Sequence, residues 1–229
     1  MSAPVSVVIP TLDAANRLGP TLGALAEGAI DGLVREVVLA DGGSSDAIAE
    51  VAEAVGARLV EAPRGRGPQL AAGARAARGP WLLFLHADSL PGPGWTAAVR
   101  AHIAAGPGRA GYASLAFDSR AAMARVTAGW ANLRSRLFAL PYGDQGLLIH
   151  RELYEATGGH PEIPLMEDVA LVRRLGRARL ARLDMTITTS AERYEREGWV
   201  RRGTRNLTTL ALYLGGASPE GLVRRYERG

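Results

Sequence analysis

Four short segments carry side chains able to do chemistry. Pro10-Thr11-Leu12-Asp13 follows the apolar run Val5-Ser6-Val7-Val8-Ile9. Asp41, with Gly42-Gly43-Ser44-Ser45-Asp46 behind it, follows Glu36-Val37-Val38-Leu39-Ala40. His86-Ala87-Asp88 follows Trp81-Leu82-Leu83-Phe84-Leu85. Farther along, Glu167-Asp168 opens a helical stretch carrying Val169, Val172 and Leu175. In an open α/β sheet, ligands bind outside the carboxyl ends of the strands. Residues just after strands are therefore the informative ones, and here they bring carboxylates to one edge. Like charges gathered this way require a cation or hydrogen-bond donors. Asp88, set before the loop Pro91-Gly92-Pro93-Gly94, suits Mg²⁺ or Mn²⁺, which take one or two protein carboxylates plus substrate phosphates. It suits equally a helix cap near Gly94. His86 reads as a satisfied residue at a strand end or as a ligand. Asp41 reads as part of a helix N-terminal turn or as a ligand contact. Glu167-Asp168 fits either an acidic first helical turn or a general base facing an acceptor hydroxyl.

The elements around these residues alternate. Three apolar strands and a shorter one, Arg58-Leu59-Val60-Glu61, are separated by helical stretches over Asn16 to Ala29, from the Asp41 cluster to Val55, and over Gln69 to Ala77. This predicts an α/β fold with a mainly parallel central sheet and helices on both faces. After Phe117 the pattern changes. Residues 120–139 read as one long helix organised around Met123, Val126, Trp130, Leu133 and Leu137, and Gly146-Leu147-Leu148-Ile149-His150 reads as a strand. A helix opens at Glu167, another runs from Trp199 to Leu214, and Ser218-Pro219-Glu220 starts a last one. No repeat or linker interrupts the chain, so residues 1–229 are expected to form one domain, with a first half to residue 117 and a second half from 118.

Composition narrows the chemistry. The chain has 229 residues, 47% hydrophobic and 22% charged, and no cysteine, which excludes disulfides, thiolate metal sites and cysteine nucleophiles. Every one of its 27 basic residues is Arg. Schiff-base and P-loop lysines are thereby excluded, and phosphate must be held by guanidinium, backbone N–H or metal. Residues 1–170 carry 14 Arg against 17 acidic side chains, and residues 171–229 carry 13 against 6. No apolar run is long enough to span a bilayer. No basic segment leads into a long apolar stretch at the N-terminus, so a cytoplasmic protein is expected. Trp199 to Leu214 joins Arg201, Arg202 and Arg205 to Leu207, Leu210, Leu212 and Leu214, a composition that fits either packing on the domain or a peripheral membrane contact at the inner face.

Taken in order over residues 5–175, these segments resemble family 2 of the glycosyltransferases, enzymes of the GT-A fold. A subgroup of small bacterial members is similar also in Arg64-Gly65-Arg66-Gly67-Pro68-Gln69-Leu70, Tyr142-Gly143-Asp144-Gln145-Gly146, Gly158-Gly159-His160-Pro161 and Pro164-Leu165-Met166-Glu167-Asp168. The resemblance implies a nucleotide-binding first half and an acceptor-binding second half. Pro10, Thr11 and Leu12 would line the nucleotide base with Asp13 nearby, and Asp41 would accept a hydrogen bond from it. Arg66 and Gln69 would lie along the nucleotide and sugar. His86-Ala87-Asp88 stands at the family's Asp-x-Asp position, with Asp88 keeping the metal-binding place and His86 replacing Asp. Asp168 would be the catalytic base, with Glu167 as its neighbour and reserve. Gly143, Asp144 and Gln145 would border the acceptor.

The implied reaction is an inverting, metal-assisted transfer of a sugar from a nucleoside diphosphate to an acceptor hydroxyl. Arg193, Arg201 and Arg202 are candidates to clamp the diphosphate. Two other readings compete. A nucleotidyltransferase would need a Gly-rich basic loop after the first strand, where this chain has Pro10 to Ala15. A nucleic-acid or anion-binding module would use the basic C-terminal third, which is interrupted by Glu192, Glu195 and Glu197 and carries no nucleic-acid motif.

Overall fold

The computed structural model describes residues 3–228, with side chains through residue 223. The first half contains β1 (Val5–Thr11), α1 (Ala15–Ile30), β2 (Val34–Asp41), α2 (Ile48–Ala54), β3 (Arg58–Glu61), α3 (Arg66–Ala76) and β4 (Trp81–Phe84). The short β5 (Leu90–Pro91), α4 (Trp95–Ala104) and β6 (Ala110–Phe117) follow. The second half contains α5 (Ala122–Phe138), a 3-10 turn at Gly143–Gln145, β7 (Leu147–His150), α6 (Arg151–Ala156), α7 (Glu167–Leu175), β8 (Leu180–Thr189), α8 (Glu192–Glu197), α9 (Trp199–Leu214) and α10 (Pro219–Arg228).

All eight strands share one sheet in the order β3-β2-β1-β4-β7-β6-β8-β5. The pairs β2–β3, β1–β2, β1–β4 and β6–β8 are parallel. β7 enters antiparallel between β4 and β6, and β5 closes the far edge antiparallel to β8. The alternation of strand side chains explains the unbroken apolar runs. Val5, Val7 and Ile9 join Leu18, Leu25, Ile48, Trp95 and Val99 in the core on one face. Val8, Leu82 and Phe84 join Leu70, Ala74, Leu171, Val172 and Leu175 in the core on the other. A strand buried on both faces has no polar side to show in its sequence. Because β1, β2 and β4 run parallel, their carboxyl ends open on one edge, where Pro10-Thr11-Leu12, Asp41 and His86-Ala87-Asp88 stand.

Several elements, β6 among them, were not expected from the sequence, and three differences are informative. The helix expected from Gln69 begins at Arg66, since Gly65 carries φ 132° and Pro68 stands in the first turn, where its missing N–H costs nothing. β8, ten residues long, lies in a stretch that showed no strand by continuous apolarity. Its signal is alternation, with Leu183, Met185 and Ile187 buried and Asp184 and Thr186 exposed. The third concerns α5. The helix is there, but Met123, Val126, Trp130, Leu133 and Leu137 face solvent rather than organise its packing. The inner face is made of Ala124, Ala128, Ala131 and Ser135, small residues that bring the helix close to β6, with Arg134 buried beside them.

That inversion is testable by denaturation. Ala128→Leu, on the tight inner face, is expected to cost about 1–3 kcal/mol by overpacking. Val126→Ser, on the outer face, should change stability by less than about 0.5 kcal/mol. The opposite order would put the large residues inside.

Candidate active site

The loops at the carboxyl edge of the sheet surround a cleft of about 510 Å³. Pro10, Thr11, Leu12, Arg66, Gln69, His86, Ala87, Asp88, Gly143, Asp144, Glu167 and Asp168 all line it. Asp13, Asp41 and Gln145 do not, and each is engaged elsewhere. The Asp13 carboxylate accepts from the Ser45 N–H at 2.8 Å and from its hydroxyl at 3.1 Å. The Asp46 carboxylate accepts from the Ala15 N–H at 2.7 Å. Together they latch the loop after β1 to the loop after β2.

Asp41 is buried, and its two oxygens accept from Thr11 Oγ1 at 3.0 Å, from the N–H groups of Gly43 and Ser44 at 3.0 and 2.8 Å, and from the Ser44 hydroxyl. Burial alone would raise its pKa. The donors from Ser44, Thr11 and Gly43 outweigh that and hold it below the ordinary value. Asp41 thus builds the turn that shapes the wall of the cleft. Gln145, also buried, accepts from the Ser135 hydroxyl and donates to Ala113 O at 3.0 Å, which fastens the 3-10 turn to α5 and β6. Gln69 reaches the cleft, but its Nε2 donates to Thr11 O at 2.6 Å and Ala40 O at 2.9 Å, tying α3 to β1 and β2.

Two close approaches shape the part of the cleft that holds Asp168. A Cβ on Gly67 would lie 2.2 Å from Pro161 O and 2.5 Å from Ile163 O, so glycine lets the first turn of α3 press on the loop that leads into α7. A Cβ on Gly143 would meet His86 Nε2 at 2.6 Å and lie 3.6 Å from Asp168 Oδ2. The bare backbone at Gly143 therefore separates the strand-end station from the helix-start station. Its N–H donates to Asp168 Oδ2 at 2.7 Å, while Asp168 Oδ1 accepts from the Val169 N–H at 2.7 Å. These two donors fix the carboxylate in the cleft that Asp88 also lines. Met166, just before, holds φ 67°, a left-handed turn that aims Glu167 and Asp168 inward.

The electrostatics separate the carboxyl groups. Glu167 is 2% exposed. Burial, and then the charge of Asp168 beside it, raise its pKa far above the carboxylate range, so it holds a proton at neutral pH. A carboxyl that holds its proton is a poor base, so the burial of Glu167 counts against its reserve role and in favour of its neighbour Asp168. Asp144 is raised to about 6, by burial first, with Arg134 opposing and Asp168 adding. His86 is held well below its ordinary value by burial and by the charges of Arg66 and Arg193, so it is neutral. Tyr142 is pushed up to about 12, chiefly by burial, and its ring carries the Arg134 guanidinium 3.4 Å from its centroid.

Of the three arginines expected to clamp phosphate, Arg193 and Arg202 line the cleft and Arg201 does not. Arg202 also bonds both oxygens of Glu197 at 2.9 and 3.0 Å. Arg17, Arg64, Tyr142 and Tyr194 also line the cleft, and sequence reasoning gave them no role there. Tyr142 was visible beside Gly143. Tyr194 had no signal apart from its place beside Arg193.

Asp88 is half-exposed at the cleft, and among the described residues no side chain or N–H donates to its carboxylate. No group of three His, Asp or Glu side chains converges there among the described residues. A divalent cation at Asp88 therefore fits only as one completed by phosphate oxygens and water, the usual habit of Mg²⁺.

Residues 6–119 match the model of glycosyl transferase family 2. Over that span the chain is a family 2 glycosyltransferase. No curated protein sequence matches the chain. Solved structures share its fold. Glucosyl-3-phosphoglycerate synthase from Mycobacterium tuberculosis, in complex with Mn²⁺, uridine diphosphate and glucosyl-3-phosphoglycerate, is 22% identical with a TM-score of 0.59, over 82% of this chain and 70% of that one. The same enzyme with Mn²⁺, uridine-diphosphate-glucose and phosphoglyceric acid gives the same identity, TM-score and coverage. A mycobacterial protein is 24% identical with a TM-score of 0.57, over 82% of this chain and 65% of its own. The fold is GT-A.

The protonation of Glu167 has a measurable consequence. Its pKa is 4.5 in an unfolded chain and higher in the folded one, so the folded state holds the proton longer. Stability is then full below 4.5 and falls as pH rises through neutrality. Glu167→Gln mimics the protonated form and removes that fall. The melting temperature of the variant relative to wild type is expected to rise steadily from about pH 5 to about pH 8. A constant difference would mean that Glu167 is ionised.

Proposed function

We propose that the chain transfers a sugar from a nucleoside diphosphate to an acceptor hydroxyl in this cleft, with inversion at the anomeric carbon. The observation that carries the reading is the presence, within one cleft, of an open carboxylate at Asp88 and a donor-fixed carboxylate at Asp168. Asp168 takes the proton of the acceptor hydroxyl. Two backbone N–H groups use one lone pair on each of its oxygens, leaving the others free to accept. Asp144 and the Gly143 backbone border the acceptor. Protonated Glu167 is a donor beside Asp168 and keeps a second negative charge away from it.

On the other side, Pro10, Thr11 and Leu12 line the place of the base, with Asp13 and Asp41 acting behind them through the turn they build. Neutral His86 offers a ribose hydroxyl a donor or an acceptor. Asp88 holds Mg²⁺ or Mn²⁺, and when bound the cation neutralises charge on the departing diphosphate. Arg66 and Arg193 add guanidinium charge to the same end. The bound Mn²⁺ and uridine diphosphate in the mycobacterial synthase support this reading by analogy of fold.

The test is a survey of nucleotide sugars with simple hydroxyl acceptors, reading nucleoside diphosphate release and the anomer of the product. Asp168→Asn is expected to lower turnover by about 10²–10⁴-fold, the usual worth of a general base. Glu167→Gln should keep most of it. Loss in Glu167→Gln with retention in Asp168→Asn would reverse the assignment, and release of pyrophosphate from a triphosphate would replace glycosyl with nucleotidyl transfer.

A further inference from the structure

The outer face of α5 is built from side chains that water does not favour. Met123, Val126, Trp130, Leu133 and Leu137, three and four residues apart, are 37–60% exposed, and Phe138 beside them is 59% exposed. Nine of the twelve large hydrophobics exposed among the described residues lie on α5 or on α9, which packs against it and contributes Val200, Leu207 and Leu214. Exposed apolar residues scattered singly are ordinary, whereas a continuous stripe marks an interaction surface.

The charge beside the stripe selects its partner. Between residues 119 and 143 there are four arginines and no acidic residue. Arg134 is buried against Tyr142, but Arg120, Arg125 and Arg136 are exposed. Exposed Arg177 adds to them, its guanidinium donating to the carbonyls of Arg136 and Leu137 at the end of the helix. On α9, Arg202 and Arg205 are paired with Glu197, so the exposed charge beside the stripe is chiefly that of α5 and Arg177. A second copy of the chain, docked on this face about a two-fold axis, would set the exposed arginines of α5 against one another, and α5 itself carries no carboxylate to pair them. An anionic surface supplies the missing charge. Trp, Phe and Leu on one face with Arg beside them is the composition of a helix lying in a lipid interface. At 17 residues α5 is roughly 25 Å long, and no helix among the described residues is long and apolar enough to cross a membrane.

We propose that α5 docks the protein on an anionic bilayer, lying in the interface with Trp130 and its apolar neighbours inserted and Arg120, Arg125, Arg136 and Arg177 on lipid phosphates. This puts the contact on α5 rather than on α9, for which the sequence left packing on the domain and a membrane contact as alternatives. It also gives the contact a place relative to the cleft. Five residues after Phe138 the chain forms the Gly143–Gln145 turn, whose first N–H holds Asp168. A docked surface therefore lies close in the chain to the acceptor side.

Co-sedimentation of the full chain with phosphatidylcholine vesicles, with and without phosphatidylglycerol, tests the proposal. Binding is expected only to the anionic vesicles, weakening with salt, with a blue shift of tryptophan emission that disappears in Trp130→Phe. Trp130→Ser with Leu133→Ser should abolish binding while leaving the unfolding transition in place, because both side chains are exposed. Arg125→Gln with Arg136→Gln should weaken partitioning about 25-fold, fivefold for each arginine, which is about 1 kcal/mol apiece. Absence of binding to anionic vesicles at low salt would overturn the proposal, as would binding undiminished by Trp130→Ser with Leu133→Ser. A wild-type dimer that this double variant converts to monomer would also overturn it and make the face an interface between copies.

Discussion

Four carboxyl groups open onto one cleft, and the arrangement stands only because their charges are kept from adding. Two ionised carboxylates in a poorly hydrated space repel each other, and the less hydrated one gives up its ionisation first. Glu167, buried beneath the cleft, is that one. Asp168, next to it in sequence, accepts from two backbone N–H donors, and Asp144 is raised to about 6 by burial, with the charge of Arg134 opposing. Arg66 acts on three of these neighbours at once, opposing the rise at Asp144 and Glu167 and keeping His86 neutral. Asp88 is left as the open carboxylate, on the side where a diphosphate would bring more negative charge and a cation to balance it.

This balance depends on backbone contacts that side chains would prevent. The first turn of α3 reaches the loop before α7 because Gly67 has no Cβ, and the 3-10 turn slips between His86 and Asp168 because Gly143 has none. The glycines of the two motifs thus serve one purpose from different elements: they let the donor edge of the sheet and the start of α7 share a wall. His160, in the same loop, is anchored from below. Its ring sits edge-on to Phe84 with centroids 4.6 Å apart, and the Tyr154 hydroxyl accepts its N–H while facing its Nδ1. Burial keeps this histidine neutral, with its pKa lowered to about 3.

Much of this was legible in the chain. The three buried strands, the residues following them and the acidic start of α7 were visible because continuous apolarity and turn chemistry are local signals. What the sequence could not show was direction. Asp41, Gln69 and Gln145 stand beside the cleft, yet their polar atoms are largely engaged by backbone and hydroxyl groups, and nothing in residue type separates a carboxylate that faces a ligand from one that holds a turn. The α5 stripe misled for a related reason. Helical spacing of large apolar residues says that one face differs from the other, not which of them is buried. Ala124, Ala128 and Ala131 took the inside because close contact with β6 favoured small side chains. β8 was missed because it alternates rather than runs apolar, and β6 because Ala110-Gly111-Tyr112-Ala113 has little of the branched character of a strand.

The account rests on a donor site that is complete only when a nucleoside diphosphate brings its own phosphate oxygens to the cation at Asp88. Thermal shifts with Mn²⁺ alone, with each common nucleoside diphosphate alone, and with the two together test this directly, in wild type and in Asp88→Ala. The account predicts little effect of Mn²⁺ alone and a clear gain for one diphosphate with Mn²⁺, about 2.7 kcal/mol at a hundredfold excess over its dissociation constant. That gain should be lost in Asp88→Ala. Stabilisation by Mn²⁺ alone that survives Asp88→Ala, or no shift with any diphosphate at saturation, would contradict it.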